Sequence, residues 1–150
     1  MAAIPEAHKL KVDKFRDFLR DREELNILIE KQESTDLDLY QALQDGLDAI
    51  NYEYGYQTSY TLDDFPSWKI LRDAATLEVL TSAGIHSARN QLSYNDAGGV
   101  NIQDIDVYGR YINYYNVLVN KVRAAVTNFK MQKNIDDAYG GSESAYSNLW

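Results

Sequence analysis

The residues of this chain that could do chemistry are few and scattered. Two histidines, His8 and His86, are separated by most of the sequence, and Ser82 and Ser87 flank the second. A serine activated by His86 is the one acyl-transfer arrangement these types permit, but no G-x-S-x-G elbow surrounds either serine, so His86 reads as a surface histidine. The carboxylate pairs Glu23-Glu24, Asp63-Asp64 and Asp136-Asp137 are adjacent in sequence, which makes their side chains diverge instead of facing one glycosidic bond. Oxygen donors gather at Asp96, Asn101, Asp104 and Asp106 around Gly98 and Gly99, yet the alternating spacing and closing glutamate of a calcium loop are missing. Those glycines do not form a phosphate cradle either, because no GxGxxG or GxxxxGK pattern and no nearby lysine accompanies them. We therefore expect no enzyme, no metal and no cofactor.

Composition narrows the class further. A length of 150 residues suits one compact domain with its own core. The absence of cysteine excludes thiolate catalysis and disulfides and fits assembly inside a cell. No apolar run approaches the roughly 20 residues that cross a bilayer, and the opening "MAAIPEAHKLKVDKF" lacks the apolar block of a signal peptide. The expectation is a chain made in the cytoplasm with no membrane partner. A formal net charge of −8, from 23 acidic and 15 basic residues, argues against general affinity for nucleic-acid backbones. The charge is unevenly placed: Glu30 to Asp64 is acidic apart from Lys31, whereas Asp104 to Asn134 carries Arg110, Lys121, Arg123, Lys130 and Lys133. Such segments can be solvated faces of separate helices or surfaces that pair neighbouring copies. Twelve tyrosines against four phenylalanines and two tryptophans suit either contact surfaces or a half-wet core edge.

The periodicity is mainly helical. Val12, Phe15, Phe18, Leu19, Leu25, Leu28 and Ile29 predict helix from Val12 to about Gln32, with a break near Asp21 to Glu24 and a mobile stretch before it that includes His8. Thr35 with Asp38 at the capping-box distance opens a second helix, in which Leu39, Leu43, Leu47 and Ile50 form the apolar stripe and Gly46 is a slight weakness. Its acidic residues Asp38, Asp45 and Asp48 are candidates for a functional surface. From Tyr52 to Pro66 we expect a loop with at most one short extended piece. Ser67 can cap a third helix from Trp68, which Gly84 is expected to bend or interrupt.

The most regular pattern starts at Asp104. Ile105, Tyr108, Ile112, Tyr115, Val119, Val122, Val126 and Phe129 alternate spacings of three and four, which predicts one long helix to about Asn134, packed as in a bundle and not as a free coiled coil. Between the third and fourth helices, Leu92, Tyr94, Val100 and Ile102 alternate around Asn95, Asp96, Gly98 and Gly99, the pattern of a β-hairpin at about 92–102. A ribbon projecting from a helical body exposes strand edges that another copy or a partner can cover. After Asn134, Gly140 and Gly141 break any helix, and Tyr139, Tyr146, Leu149 and Trp150 are aromatic and apolar anchors on an otherwise polar tail. We read 135–150 as an extended C-terminal arm suited to a partner groove. The fold class is thus mainly α: a small helical bundle in 1–134 with one long C-terminal helix, a projecting hairpin and the arm.

Several segments together carry a resemblance. "FLRDREELNILIEKQESTDLDLYQALQDGLDAIN", "FPSWKILRDAATLEVL", "ARNQLSYNDAGGVNIQD" and "YGRYINYYNVLVNKVRAAVTNFKMQKN" follow one another in an order that resembles the neck, or head-to-tail connector, proteins of tailed bacteriophages, from about Phe15 to Asn134. The most specific parts are Arg89-Asn90-Gln91-Leu92-Ser93-Tyr94 with Asp96 and Gly98-Gly99, and the Asp21 to Glu33 stretch with Leu25-Asn26 and Leu28.

The resemblance implies a structural virion protein that forms a ring of about twelve copies of itself. Such a ring docks on the portal protein and meets a tail-side neck or tail terminator protein, and DNA passes through its channel without specific binding. It also implies that Tyr139, Gly140, Gly141, Tyr146, Leu149 and Trp150 enter portal grooves, and it carries over no catalytic residue. Within that frame Asp38, Asp45 and Asp48 either face the channel or pair with a basic face next door. The alternative from a different class is a virion-associated host-recognition or carbohydrate-binding module that uses exposed tyrosines.

Overall fold

The computed structural model of the chain describes residues 4–25, 32–89, 94–95, 101–102 and 107–139. Four helices appear there in the order α1 (Glu6–Leu19), α2 (Asp36–Tyr52), α3 (Trp68–Arg89) and α4 (Val107–Tyr139). Helix α3 packs on α2 at one side and on α4 at the other, and α1 lies against α2. The core therefore collects one stripe from each helix: Val12 and Phe15, then Leu39, Leu43, Leu47 and Ile50, then Leu71, Ala74 and Ala75, then Leu118, Val122 and Val126.

Helix α1 begins six residues before the expected Val12 and includes His8, so the N-terminal stretch is not the mobile lead-in its polarity suggested. It is held by tertiary contacts that a local pattern cannot register. The helix stops at Arg20, which adopts a left-handed conformation (φ 57°) and turns its N–H back to the Asp17 carbonyl at 3.3 Å. Helix α2 starts as expected: the Thr35 hydroxyl accepts the Asp38 N–H at 3.2 Å, while the Asp38 carboxylate accepts the Thr35 N–H at 2.9 Å. Gly46 is less a weakness than a requirement. A Cβ there would lie 2.6 Å from the Ala75 nitrogen and 2.8 Å from its Cα, so the glycine lets the α2 and α3 backbones approach.

The segment between α2 and α3 contains no strand and is organised by one buried side chain. The Asn51 amide donates to the Tyr60 carbonyl at 2.9 Å, and its oxygen accepts the Tyr60 N–H at 3.0 Å and the Thr58 hydroxyl at 2.9 Å. Tyr60, Phe65 and Phe129 then pack edge to face or tilted, with ring centroids 5.3 to 6.0 Å apart.

Three expectations are corrected. Helix α3 runs through Gly84 to Arg89 without interruption, because a single buried glycine costs a helix only about 1 kcal/mol. Helix α4 runs five residues beyond Asn134, so 135–139 belong to it and not to an extended arm; the i,i+4 pairs Gln132 to Asp136 (2.8 Å) and Lys133 to Asp137 (2.6 Å) support those turns. Its predicted stripe enters the core only in part, for Ile112 is exposed while Val122 and Val126 are buried. At 33 residues, or about 50 Å, α4 is the longest of the described helices, against 22 residues for α3. Between α3 and α4, Tyr94 pairs with Ile102 and Asn95 with Asn101 in a short antiparallel ladder. The expected hairpin residues Leu92, Asp96, Gly98, Gly99 and Val100 lie outside the described residues. No described helix is long and apolar enough to cross a membrane.

Candidate functional site

The polar side chains with buried or half-buried positions are tied to one another. Arg16, on the last turn of α1, donates to the Asp21 carboxylate at 3.0 Å, the Ser34 carbonyl at 2.8 Å and the Asp36 carboxylate at 2.7 Å. Asp21 in turn accepts the Glu33 N–H at 2.6 Å and the Ser34 N–H at 2.8 Å. This clasp fixes the entry of α2 against the exit of α1, and it satisfies a guanidinium that burial would otherwise penalise.

A second clamp joins α3 to α4. Asp73 accepts Arg72 at 2.7 Å on one oxygen and Lys121 at 2.9 Å on the other. Burial works to raise its pKa, but the bonds from Lys121 and Arg72 outweigh it and hold the carboxyl below the usual range. Arg72 also lies 3.9 Å from the centre of the Phe18 ring, which ties α3 to α1. Lys130 of α4 is buried; its ammonium donates to the Tyr56 carbonyl at 2.6 Å, and the Tyr56 hydroxyl donates back to the Lys130 carbonyl at 2.7 Å. Desolvation pulls the Lys130 amine below its ordinary value.

The third grouping is the nearest the described residues come to a catalytic constellation. His8 Nδ1 is 3.2 Å from the Tyr40 hydroxyl, His8 Nε2 is 3.1 Å from Asp63, and Lys11 donates to Asp63 at 3.2 Å. The His8 and Tyr40 rings stack at 5.6 Å. Hydrogen bonds from His8 and Lys11 hold the exposed Asp63 carboxyl low. The arrangement staples α1 to α2 and to the following loop. Sequence reasoning missed it because Tyr40 and Asp63 lie 32 and 55 positions from His8. His86, the histidine singled out from the sequence, is exposed on α3. Among the described residues no group of acidic or histidine side chains could hold a metal ion, and no buried side-chain polar atom lacks a partner.

The surface is where unsatisfied chemistry remains. Asp38, Asp45 and Asp48 are all exposed and, with Gln41 and Tyr52, form an outward row at spacings of three and four on α2. In the second half of α3 and the first half of α4, Ile85, Ile112, Tyr114 and Val117 are exposed, Val117 by 71%. At the other end of α4, every residue from 131 to 138 is exposed, including Met131 and Ile135 one turn apart. Among the tyrosines whose side chains are described, Tyr54 is buried, Tyr40, Tyr60 and Tyr115 line the core edge, and Tyr52, Tyr56 and Tyr114 are exposed. The basic segment is less available than its sequence suggests, since Lys130 is buried, Lys121 serves Asp73 and Lys133 serves Asp137. Of the predicted arm, the backbone of Tyr139 ends α4, and Gly140, Gly141, Tyr146, Leu149 and Trp150 lie outside the described residues. Comparison with family models, with curated proteins and with solved structures returned no match.

Proposed function

We propose that this chain is a structural subunit of a phage neck: a homo-oligomeric ring that docks on the portal protein and receives a tail-side neck or tail terminator protein. The observation that carries this reading is the placement of apolar surface. Inside the body, polar groups are matched by clamps such as Arg16 with Asp21 and Lys121 with Asp73. At the surface, the second half of α3 and the first half of α4 leave Ile85, Ile112, Tyr114 and Val117 in solvent, and the last turns of α4 leave Met131 and Ile135 there. Exposed apolar side chains scattered singly are ordinary, but several on two packed helices call for a covering partner.

A ring supplies such cover by repetition. Modest contacts between identical subunits become persistent once closure makes them cooperative. The hairpin expected at about 92–102 would offer its strand edges to a neighbour, and the arm beyond Tyr139 would carry Tyr146, Leu149 and Trp150 into portal grooves. The excess negative charge favours DNA that slides through the channel without adhering.

The test is removal of Gly140 to Trp150. The reading expects DNA-filled heads that fail to acquire tails, with the helical body intact by circular dichroism. Tailed particles formed at the normal yield would overturn the portal-docking part of the proposal.

A further inference from the structure

The acidic row of α2 and the Lys121 side of α4 belong to helices that each pack on α3. Asp73 and Glu78 are five residues apart on α3, hence about 140° apart around its axis. Asp73 faces Lys121 of α4. Glu78 lies on the acidic side, where burial first and then the Asp45 and Glu53 charges raise its pKa. The acidic row of α2 and the Lys121 side of α4 therefore neighbour different sides of α3.

Helix α4 carries an outward row of its own. Arg110, Tyr114, Val117 and Lys121 are all exposed at spacings of four, three and four, a second stripe set apart from the core-facing Leu118, Val122 and Val126. The row Asp38, Gln41, Asp45 and Asp48 on α2 has the complementary spacings three, four and three. Arg110 and Lys121 stand about 16 Å apart along their helix, and Asp38 and Asp48 about 15 Å along theirs.

We infer that the Arg110–Lys121 face of α4 docks, antiparallel, on the Asp38–Asp48 face of α2 in a second copy of this chain, with Arg110 against Asp48 and Lys121 against Asp38. The same register sets the Tyr114 hydroxyl, a donor, against the Asp45 carboxylate and the neutral Val117 against Gln41. Each contact has capacity left for it. Lys121 gives Asp73 one of the three hydrogens an ammonium carries. Asp38 uses Oδ2 in its capping box, leaving Oδ1 available, and Asp45 gives Oδ1 to Gln41, leaving Oδ2. Antiparallel helices also bring opposite dipole ends together. Because the two faces differ, the contact is head to tail, the kind that generates a ring when its rotation closes. The inference rests on the ring reading proposed above and specifies its subunit contact.

The test is a charge-reversal cycle on the full chain by sedimentation equilibrium from micromolar to millimolar. The four proteins are the wild type, Arg110→Glu, Asp48→Arg and the combined Arg110→Glu/Asp48→Arg. Both positions are exposed, and circular dichroism checks that each variant keeps its helices. The expected result is self-association of the wild type, weakened at least about tenfold by either single reversal and restored to within about threefold by the combined one. A wild type that stays monomeric throughout overturns the inference. So does association that neither single reversal weakens, which would mean a ring built by other faces and would leave the neck reading standing. Loss in both single variants with no restoration in the double also overturns the pairing. If restoration occurs but heads acquire tails normally without the arm, the contact survives and the portal-docking reading falls.

Discussion

Lys121 of α4 donates to Asp73 of α3 across 2.9 Å, and this bond joins the central helix to the helix that carries the exposed Ile112, Tyr114, Val117, Met131 and Ile135. It fixes the sense in which Arg110, Tyr114 and Val117 face outward, so the clamp is a positioning device for the surface beside it.

The clamp predicts a pH dependence. Asp73 has its pKa held below the ordinary carboxylate value of about 3.9 by Lys121 and Arg72, against burial. A carboxyl depressed in the folded state contributes stability that is fully present above the unfolded value and is lost as pH falls through the folded one. Asp73→Asn is therefore expected to destabilise the chain by about 1–3 kcal/mol at neutral pH, because charge-assisted bonds to two cations are weakened. Urea denaturation should show this gap narrowing as pH drops below about 4. A gap independent of pH would contradict the assignment.

Gly46→Ala tests the close approach of α2 and α3. The added methyl would meet the Ala75 backbone at 2.6 Å and 2.8 Å, and backbone cannot yield as a flexible side chain can. The expected cost is about 1–3 kcal/mol of overpacking, opposite in sign to the gain that alanine normally gives a helix interior. Denaturation midpoints at equal slope would measure it.

This pair also marks where the sequence was legible and where it was not. The Thr35 and Asp38 capping box, the α2 stripe and the start of α3 at Trp68 follow from local spacing, and the structure contains them. Gly46 read as a weak point because its purpose lies on another helix. Arg16, Asn51 and Lys130 are polar residues buried by partners up to 79 positions away, and nothing in their local surroundings foretells it. The end of α4 was placed too early because the apolar stripe ceases near Phe129, whereas the helix continues on ion pairs and hydrogen bonds of its own side chains. Among candidate site residues, Asp38, Asp45 and Asp48 were readable as an exposed row from helical spacing alone. The outward face of α4 was not, since knowing which of its two stripes is buried requires the packing of α3.

Lys130 predicts the same pH sign as Asp73, but in an alkaline window. Burial lowers its amine below the ordinary value, so at high pH, between the folded value and the unfolded one of about 10.4, the unfolded chain binds more protons. Stability should rise with pH across that interval, relative to Lys130→Met, which has no proton to lose. Thermal melts of both proteins at a series of alkaline pH values would check the divergence.

Polar substitutions at Ile85 and Val117 should separate stability from assembly. Ile85→Ser with Val117→Ser removes side chains that are already in solvent, so the change in unfolding free energy should stay within about 0.5 kcal/mol. Tail joining, scored as the fraction of filled heads bearing tails, is expected to fall in the same variant. A loss of stability larger than the loss of joining would mean that these residues serve the body itself.

The central claim is that the exposed apolar side chains of α3 and α4 are buried by other polypeptides in the finished particle. An electron cryo-microscopy map of the purified chain mixed with the portal ring that the proposed function assigns to it addresses it most directly. The account predicts a ring of copies capping the portal, with Tyr114 and Val117 of each subunit against a neighbour and Met131 and Ile135 against a second polypeptide. Portal rings that stay bare, or a bound ring in which all four side chains still face solvent, would contradict it.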